Sequence, residues 1–266
     1  MAATEGWQGS TQTAVFNEPF LGSAKFRSWP QRLLDAADVS LGDHVLDVGS
    51  GTVSLAREAT RRVGPTGRVV GCAANPSVVS TARRLEPEIG WQRGDAAALP
   101  FGAAMFTAVV SQFGLDFRPD QGDALREMWR VLSPGGRLAV AVTGCLSEAP
   151  AHEALAEWIA ARVSADAVAT RASAIRRNQA DRVAQQALHA GINRGSVGTV
   201  IGEARFASAE EFMRLEIGRL PLAASLDHKA IQELASACGQ TLAAYVQDDG
   251  ALVVSLSATL LTATKI

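Results

Sequence analysis

The stretch Val45-Leu46-Asp47-Val48-Gly49-Ser50-Gly51-Thr52-Val53 narrows the choice of folds more than any other part of the chain. A short apolar run ends in glycines, and the helical pattern Leu55-Ala56-Arg57-Glu58-Ala59 follows directly. That order predicts a buried strand, a tight turn, and a helix whose amino end faces whatever the turn cradles. Glycine at 49 and 51 lets the backbone approach a ligand closely, because no Cβ intervenes. Read as G-x-G-x-x-G the loop fails at Ser54, which counts against the usual NAD fingerprint.

Strands and helices then alternate as far as Thr143. The pattern predicts strands at Val45–Val48, Arg68–Cys72, Ile89–Arg93, Thr107–Ser111 and Arg137–Val142. Helices are expected over Ser54–Val63, from Pro76, and over Gly122–Leu132, with an earlier one near Pro30–Ala37. Gly64-Pro65-Thr66-Gly67 and Ser133-Pro134-Gly135-Gly136 read as turns. Short apolar strands separated by helices argue a mostly parallel α/β sheet covered on both faces. Ligands of such sheets bind beyond the carboxyl ends of the strands, which points to residues 49–53, 72–76, 94–96 and 111–115.

Past Thr143 the alternation stops. Residues from about 150 to 190 read as helices, with Leu155, Trp158, Ile159 and Val163 on a packing face. Gly195–Ile201 and Ala251–Leu261 read as strands, and Ser208–Gly218 and Asp227–Cys238 as helices with Ser208 and Asp227 as N-caps. The expected organisation is an arm and helix over 1–40 covering the pocket, then a main domain over 41–266 with a cap insertion at about 144–225. Phe16, Phe20 and Trp7 sit in the arm.

A net charge of −2 removes any general electrostatic case for nucleic acid or an anionic membrane. Cys72, Cys145 and Cys238 are far apart, with no metal-ligand spacing among Cys, His and acidic residues, so neither a disulfide framework nor a metal site is expected. The opening MAATEGWQGS lacks a basic segment followed by an apolar one, and no apolar run is long enough to span a bilayer. A reduced, cytoplasmic setting is the expectation, with a homodimer allowed.

Three companions raise the specificity of the glycine loop. Gly94-Asp95-Ala96 with Leu99-Pro100-Phe101 follows the third strand, and Ser111-Gln112-Phe113-Gly114-Leu115 follows the fourth. Arg130-Val131-Leu132-Ser133-Pro134-Gly135-Gly136-Arg137-Leu138 leads into the fifth. In that order and spacing the chain resembles the class I S-adenosylmethionine-dependent methyltransferases, in the small-molecule branch typified by ubiquinone/menaquinone-biosynthesis-type enzymes. The match is dense from about residue 41 to 143. The resemblance implies a Rossmann-like fold with a seven-stranded sheet whose last strand, Ala251–Leu261, is antiparallel. It implies that Gly49, Ser50 and Gly51 line the methionine part of the cofactor. Asp95 would accept from the adenine amino group beside the Ala96 N–H, although capping the following turn is its other reading. Ser111 and Gln112 would border the sulfonium and the substrate.

Two positions depart from that pattern. At the end of the second strand, Gly71-Cys72-Ala73-Ala74-Asn75-Pro76 places Ala73, with Ala74 beside it, where the family usually has an acidic residue for the ribose hydroxyls. Loss of such a contact costs about 2–3 kcal/mol, roughly 30- to 150-fold in affinity. Val53 stands where the loop usually has glycine, and a β-branched side chain resists positive φ and adds bulk. Together they predict weakened or lost cofactor binding.

Candidates for acid/base work are His152, just beyond the fifth strand, and Asp116, after the fourth; each has a bland alternative, a solvated histidine and a turn residue. His44, His189 and His228 read as surface, and Tyr245 as packing. Three functions remain open. The first is methyl transfer to a small metabolite, in secondary metabolism. The second is a non-methylating enzyme on the same fold, a cyclisation, pericyclic or rearrangement catalyst with the cofactor absent or structural. The third is a non-catalytic partner protein.

Overall fold

The computed structural model describes residues 28–51, 53–116, 121–145, 149–162, 179–218 and 228–266. The arm with Trp7, Phe16 and Phe20, and also Thr52, Val163 and Asp227, lies outside these residues. Seven strands form one sheet in the order β3-β2-β1-β4-β5-β7-β6. They are β1 His44–Val48, β2 Arg68–Ala73, β3 Gly90–Arg93, β4 Phe106–Gln112, β5 Leu132–Thr143, β6 Gly195–Phe206 and β7 Leu252–Thr264. The first five pair in parallel, while β7 runs antiparallel to both β5 and β6. The helices are α1 Ser28–Ala36, α2 Ser54–Val63, α3 Pro76–Leu85, α4 Gly122–Val131, α5 Pro150–Arg162, α6 Gln179–His189, α7 Ala209–Gly218 and α8 His228–Ala237.

Alternation along each strand feeds two apolar layers. Val45, Ala108, Val110, Ala139 and Ala141 face one layer with the buried residues of α1, α2, α3, α5, α7 and α8. Leu46, Val48, Val109, Leu138 and Val140 face the other, against α4 and α6. Local chemistry sets the helix ends. Pro76 sits at the start of α3, and Asn75 caps it by accepting from the Ser77 N–H at 2.9 Å. Ser208 caps α7, its Oγ accepting from the Glu211 N–H at 3.1 Å. Lys265 closes α4, its ammonium donating to the carbonyls of Trp129 and Leu132 at 2.5 and 2.7 Å.

Several boundaries differ from the sequence expectation. Ser133-Gly136, expected as a turn, lies within β5 as an irregularity: Phe106 pairs with Leu132, and the register resumes with Ala108 opposite Arg137. Of the stretch 144–225 set aside as a cap, Gly195–Phe206 is the edge strand of the main sheet. That strand is longer than expected because its second half alternates in burial up to Phe206. Among the described residues no helix is long and apolar enough to cross a membrane.

Candidate active site

The site is built where β1 and β4 end side by side. Gly49 turns out of β1 at φ +75°, a conformation that favours glycine. Its N–H and that of Ser50 both donate to the Cys72 carbonyl, at 2.9 and 3.1 Å, which ties the loop to β2. A Cβ on Gly49 would lie 2.7 Å from the Cα of Gly114, and one on Gly114 would lie 2.7 Å from the Val48 carbonyl oxygen. The two loops therefore cross backbone to backbone. Gly51 differs: among the described residues a Cβ there would meet nothing closer than the Gly49 oxygen at 3.9 Å. Among those residues, that part of the loop is open.

Asp47 and Ser50 form the underside of the turn. Ser50 Oγ donates to Asp47 Oδ2 at 2.5 Å, and both residues are buried. Burial pushes the Asp47 carboxyl up to about 7, opposed by the Ser50 hydrogen bond. Ser50 was expected to line the ligand; its side chain instead braces the loop from inside. Cys72 is buried, and that burial, with Asp47 and Asp95 nearby, pushes its thiol up to about 12. A thiol held in that form is a poor nucleophile.

Val53 corrects a sequence expectation. It sits at φ −73° and ψ −6°, ordinary right-handed helical values, as the residue preceding α2. Its side chain is buried in the apolar layer with Leu55 and Ala56. No positive φ is required at this position, so valine carries no backbone strain there. Ala73 ends β2 buried and apolar, and its carbonyl accepts from the Gly94 N–H at 3.0 Å. Ala74 beside it is exposed and accepts from Arg93 Nε at 3.3 Å.

Asp95 is exposed, and its Oδ1 accepts from the Ala97 N–H at 2.9 Å, so the turn-capping role is present. Ala96 is buried next to it. Ser111 is fully buried and its Oγ donates to the Val48 carbonyl at 2.7 Å, clamping β4 to β1. Gln112 follows, with Oε1 buried and without a hydrogen-bond partner among the described residues. Asp116 accepts from both the N–H and the hydroxyl of Thr143, at 2.8 and 2.5 Å. Of its two readings, the turn role is the one seen, an anchor between the β4 loop and the end of β5. His152 is not a solvated histidine: it is buried in α5 with its ring edge-on to Phe212, centroids 5.0 Å apart. His44 and His189 are exposed, and Tyr245 packs partly buried on the core.

Two residues escaped the sequence reading. Phe113 adopts φ +57° and is buried, and Trp29 of α1 packs edge-on against it at 5.4 Å. A bulky residue in the left-handed region is a mark of strain held by its surroundings. Trp29 stands just before the helix expected near Pro30–Ala37, and nothing in the sequence placed it beside Phe113.

Residues 46–140 match the family model described as "Methyltransferase domain". Over residues 46–140 the chain is similar to methyltransferase domains, and its sheet has the class I methyltransferase fold. The 2-phytyl-1,4-naphtoquinone methyltransferase of Thermosynechococcus vestitus is 42% identical over 42% of this chain and 51% of its own length. The ubiquinone/menaquinone biosynthesis C-methyltransferase UbiE of an Enterobacter species is 39% identical over 43% of this chain and 48% of its own. The chain thus spans about half the length of the curated relatives it matches. Among solved structures, phospholethanolamine N-methyltransferase 2 of Haemonchus contortus, in complex with phosphomonomethylethanolamine and S-adenosylhomocysteine, superposes with a TM-score of 0.62 at 17% identity. That superposition covers 97% of this chain and 58% of the other, and it shows the shared fold.

The site has features that fit S-adenosylmethionine. Gly51 leaves open backbone at the loop, the unpartnered Gln112 Oε1 lies at the end of β4, and Val53 packs in the core. The end of β2 fits less well, because Ala73 supplies no acceptor for ribose hydroxyls.

Proposed function

We propose that the chain methylates a small, ring-bearing metabolite, with S-adenosylmethionine as methyl donor. The observation that carries this reading is the loop geometry at Gly49 and Gly51, closed against Gly114 on one side and open on the other. When bound, S-adenosylmethionine supplies an electrophilic methyl group on sulfur. The chain's own contribution is placement. Gly51 admits the cofactor against bare backbone, and Asp95 and Ala96 receive the adenine. Gln112 borders the acceptor, while Trp29 and Phe113 wall its apolar side. Such transfer rests on positioning and exclusion of water, so it needs no triad. Where the acceptor must lose a proton, His152, beyond β5, takes it. The named quinone methyltransferases, similar over 115 and 120 residues, support a quinol-type ring as acceptor.

Ala73 favours a second reading, an enzyme of the same fold that does not transfer methyl. The two are separated by incubating the protein with S-adenosylmethionine and 1,4-dihydroxynaphthalene under anaerobic conditions. Methyl transfer predicts a product heavier by one CH2 unit, a methyl in place of a hydrogen lost as a proton, and S-adenosylhomocysteine in equal amount. Neither product forming, together with no heat of binding for S-adenosylhomocysteine, overturns the first reading.

A further inference from the structure

A cavity of about 450 Å³ opens between the end of α1 and the β5–β7 pair. Register fixes its place in the sheet. Arg137, which lines it, lies opposite Ala108, and Ala108 lies opposite Val45, so the cavity sits at the amino ends of the parallel strands. The Gly49 loop lies at their carboxyl ends. A volume of this order suits a small-molecule ligand.

The lining carries charges of both signs. Arg137 is already engaged, its Nε donating to the Ala37 carbonyl at 3.1 Å and its Nη2 to Asp43 at 2.5 Å. Asp38 and Arg194 line the same space, yet among the described residues neither side chain makes an ion pair or hydrogen bond. Asp38 follows α1 in the left-handed region at φ +45°. The carboxyl end of a helix carries partial negative charge and favours cations, so an unpaired carboxylate there deepens a negative site. Arg194 reaches the cavity from the β6 side, one residue before Gly195, which pairs with Ala263. Thr264 lies opposite Arg137 and Thr262 opposite Ala139, on the face that holds α1. Both threonines line the cavity, and their hydroxyls have no partner among the described residues. The cavity thus has an anionic side at α1 and a cationic, hydroxyl-bearing side at β7 and β6, with Ala36 and Ile266 as apolar lining.

We infer that this cavity is a second ligand site, for a small zwitterion of the amino acid type. Asp38 and the carbonyl end of α1 hold its ammonium; Arg194, Thr262 and Thr264 hold its carboxylate. A ligand with a single charge leaves either Asp38 or Arg194 unmatched, whereas a zwitterion complements both. The inference stands apart from the methyl-transfer reading and needs no residue of the Gly49 loop.

The test titrates the full chain by calorimetry with four probes of one carbon length. L-Norvaline and 5-aminovalerate are isomeric zwitterions, with charges adjacent or separated, while pentanoate and pentylamine carry one charge each. Wild type is expected to bind one isomer at least about tenfold more tightly than either singly charged probe, with saturating S-adenosylhomocysteine present or absent. Asp38→Asn keeps a residue that tolerates the left-handed region; it should lose about tenfold for that isomer and leave pentanoate unchanged. Arg194→Gln should lose about tenfold for that isomer and for pentanoate, and leave pentylamine unchanged. Both positions are exposed, so both melting temperatures should match wild type. A singly charged probe that binds as tightly as the better isomer overturns the inference. So does the absence of heat from both isomers at millimolar concentration, or full affinity in both variants. Displacement of the zwitterion by S-adenosylhomocysteine would put it at the Gly49 loop instead, and likewise overturns the second site while leaving the methyl-transfer reading intact.

Discussion

Gly49 and Gly114 meet through their backbones, so closely that neither position has room for a side chain. The end of β1 and the loop after β4 share one space, and the open face at Gly51 depends on that contact holding. Gly114→Ala would set its Cβ 2.7 Å from the Val48 oxygen and 2.8 Å from the Gly49 Cα, both backbone atoms with little freedom to yield. The expected cost is about 1–3 kcal/mol in urea unfolding. S-adenosylhomocysteine affinity should fall with it, read by calorimetry. Gly49→Ala should cost more, since φ +75° adds backbone strain to the clash.

Asp47 makes stability depend on pH in a definite sense. Its carboxyl titrates near 7 in the fold and near 3.8 when unfolded. Between those values the native state holds a proton that the unfolded chain has lost, so this group's contribution falls as pH rises, by about 1.4 kcal/mol per unit. Asp47→Asn keeps an acceptor for the Ser50 hydroxyl and removes the titration. The stability of the variant relative to wild type should rise from about pH 4 to about pH 7 and then level. Denaturation curves across that range check it, and a flat difference would reject the assignment.

The two departures from the family pattern should separate. Ala73→Asp restores a carboxylate at the end of β2 and should tighten S-adenosylhomocysteine by roughly 30- to 150-fold, the equivalent of about 2–3 kcal/mol. Val53→Gly should bring no gain. It removes a side chain that is 4% exposed and packed in the core, at a cost of about 2–4 kcal/mol in stability. Calorimetry on each variant alone, beside its melting curve, distinguishes the two effects.

Asp116 should behave as an anchor. Asp116→Ala removes both hydrogen bonds to Thr143 and should cost about 1.5–3 kcal/mol. Asp116→Asn, which can still accept from one donor, should recover part of that. A role in proton transfer would instead leave stability unchanged and remove turnover in both variants.

The strands β1, β2 and β4 were readable to within a residue or so at each end, because each is a short apolar run, whereas the start of β5 was hidden behind Ser133-Pro134-Gly135-Gly136, which reads as a turn. The glycine at 49 was equally readable, since its sequence context and its positive φ agree. The roles of neighbouring side chains were not. Ser50 and Ser111 are hydroxyl residues next to a loop, and only the fold reveals that both hydroxyls are spent on Asp47 and on Val48. Val53 misled because a family position usually held by glycine was read as one that needs glycine's conformation. Its backbone is helical, so the preference has another origin. Trp29 was invisible as a site residue because its packing neighbours, Gly202 and Phe113, are both more than eighty positions away.

The placement of β7 has a consequence for the order in which the sheet can be completed. β6 bonds to no strand but β7 among the described residues, and β7 lies between it and β5. During synthesis, residues 195–206 emerge well before 252–264. Until those later residues arrive, β6 has no ladder to join and β5 keeps a bare edge. The nascent chain therefore carries an unpaired β6 and a bare β5 edge through the making of about fifty residues, the interval in which protection by a chaperone would matter most.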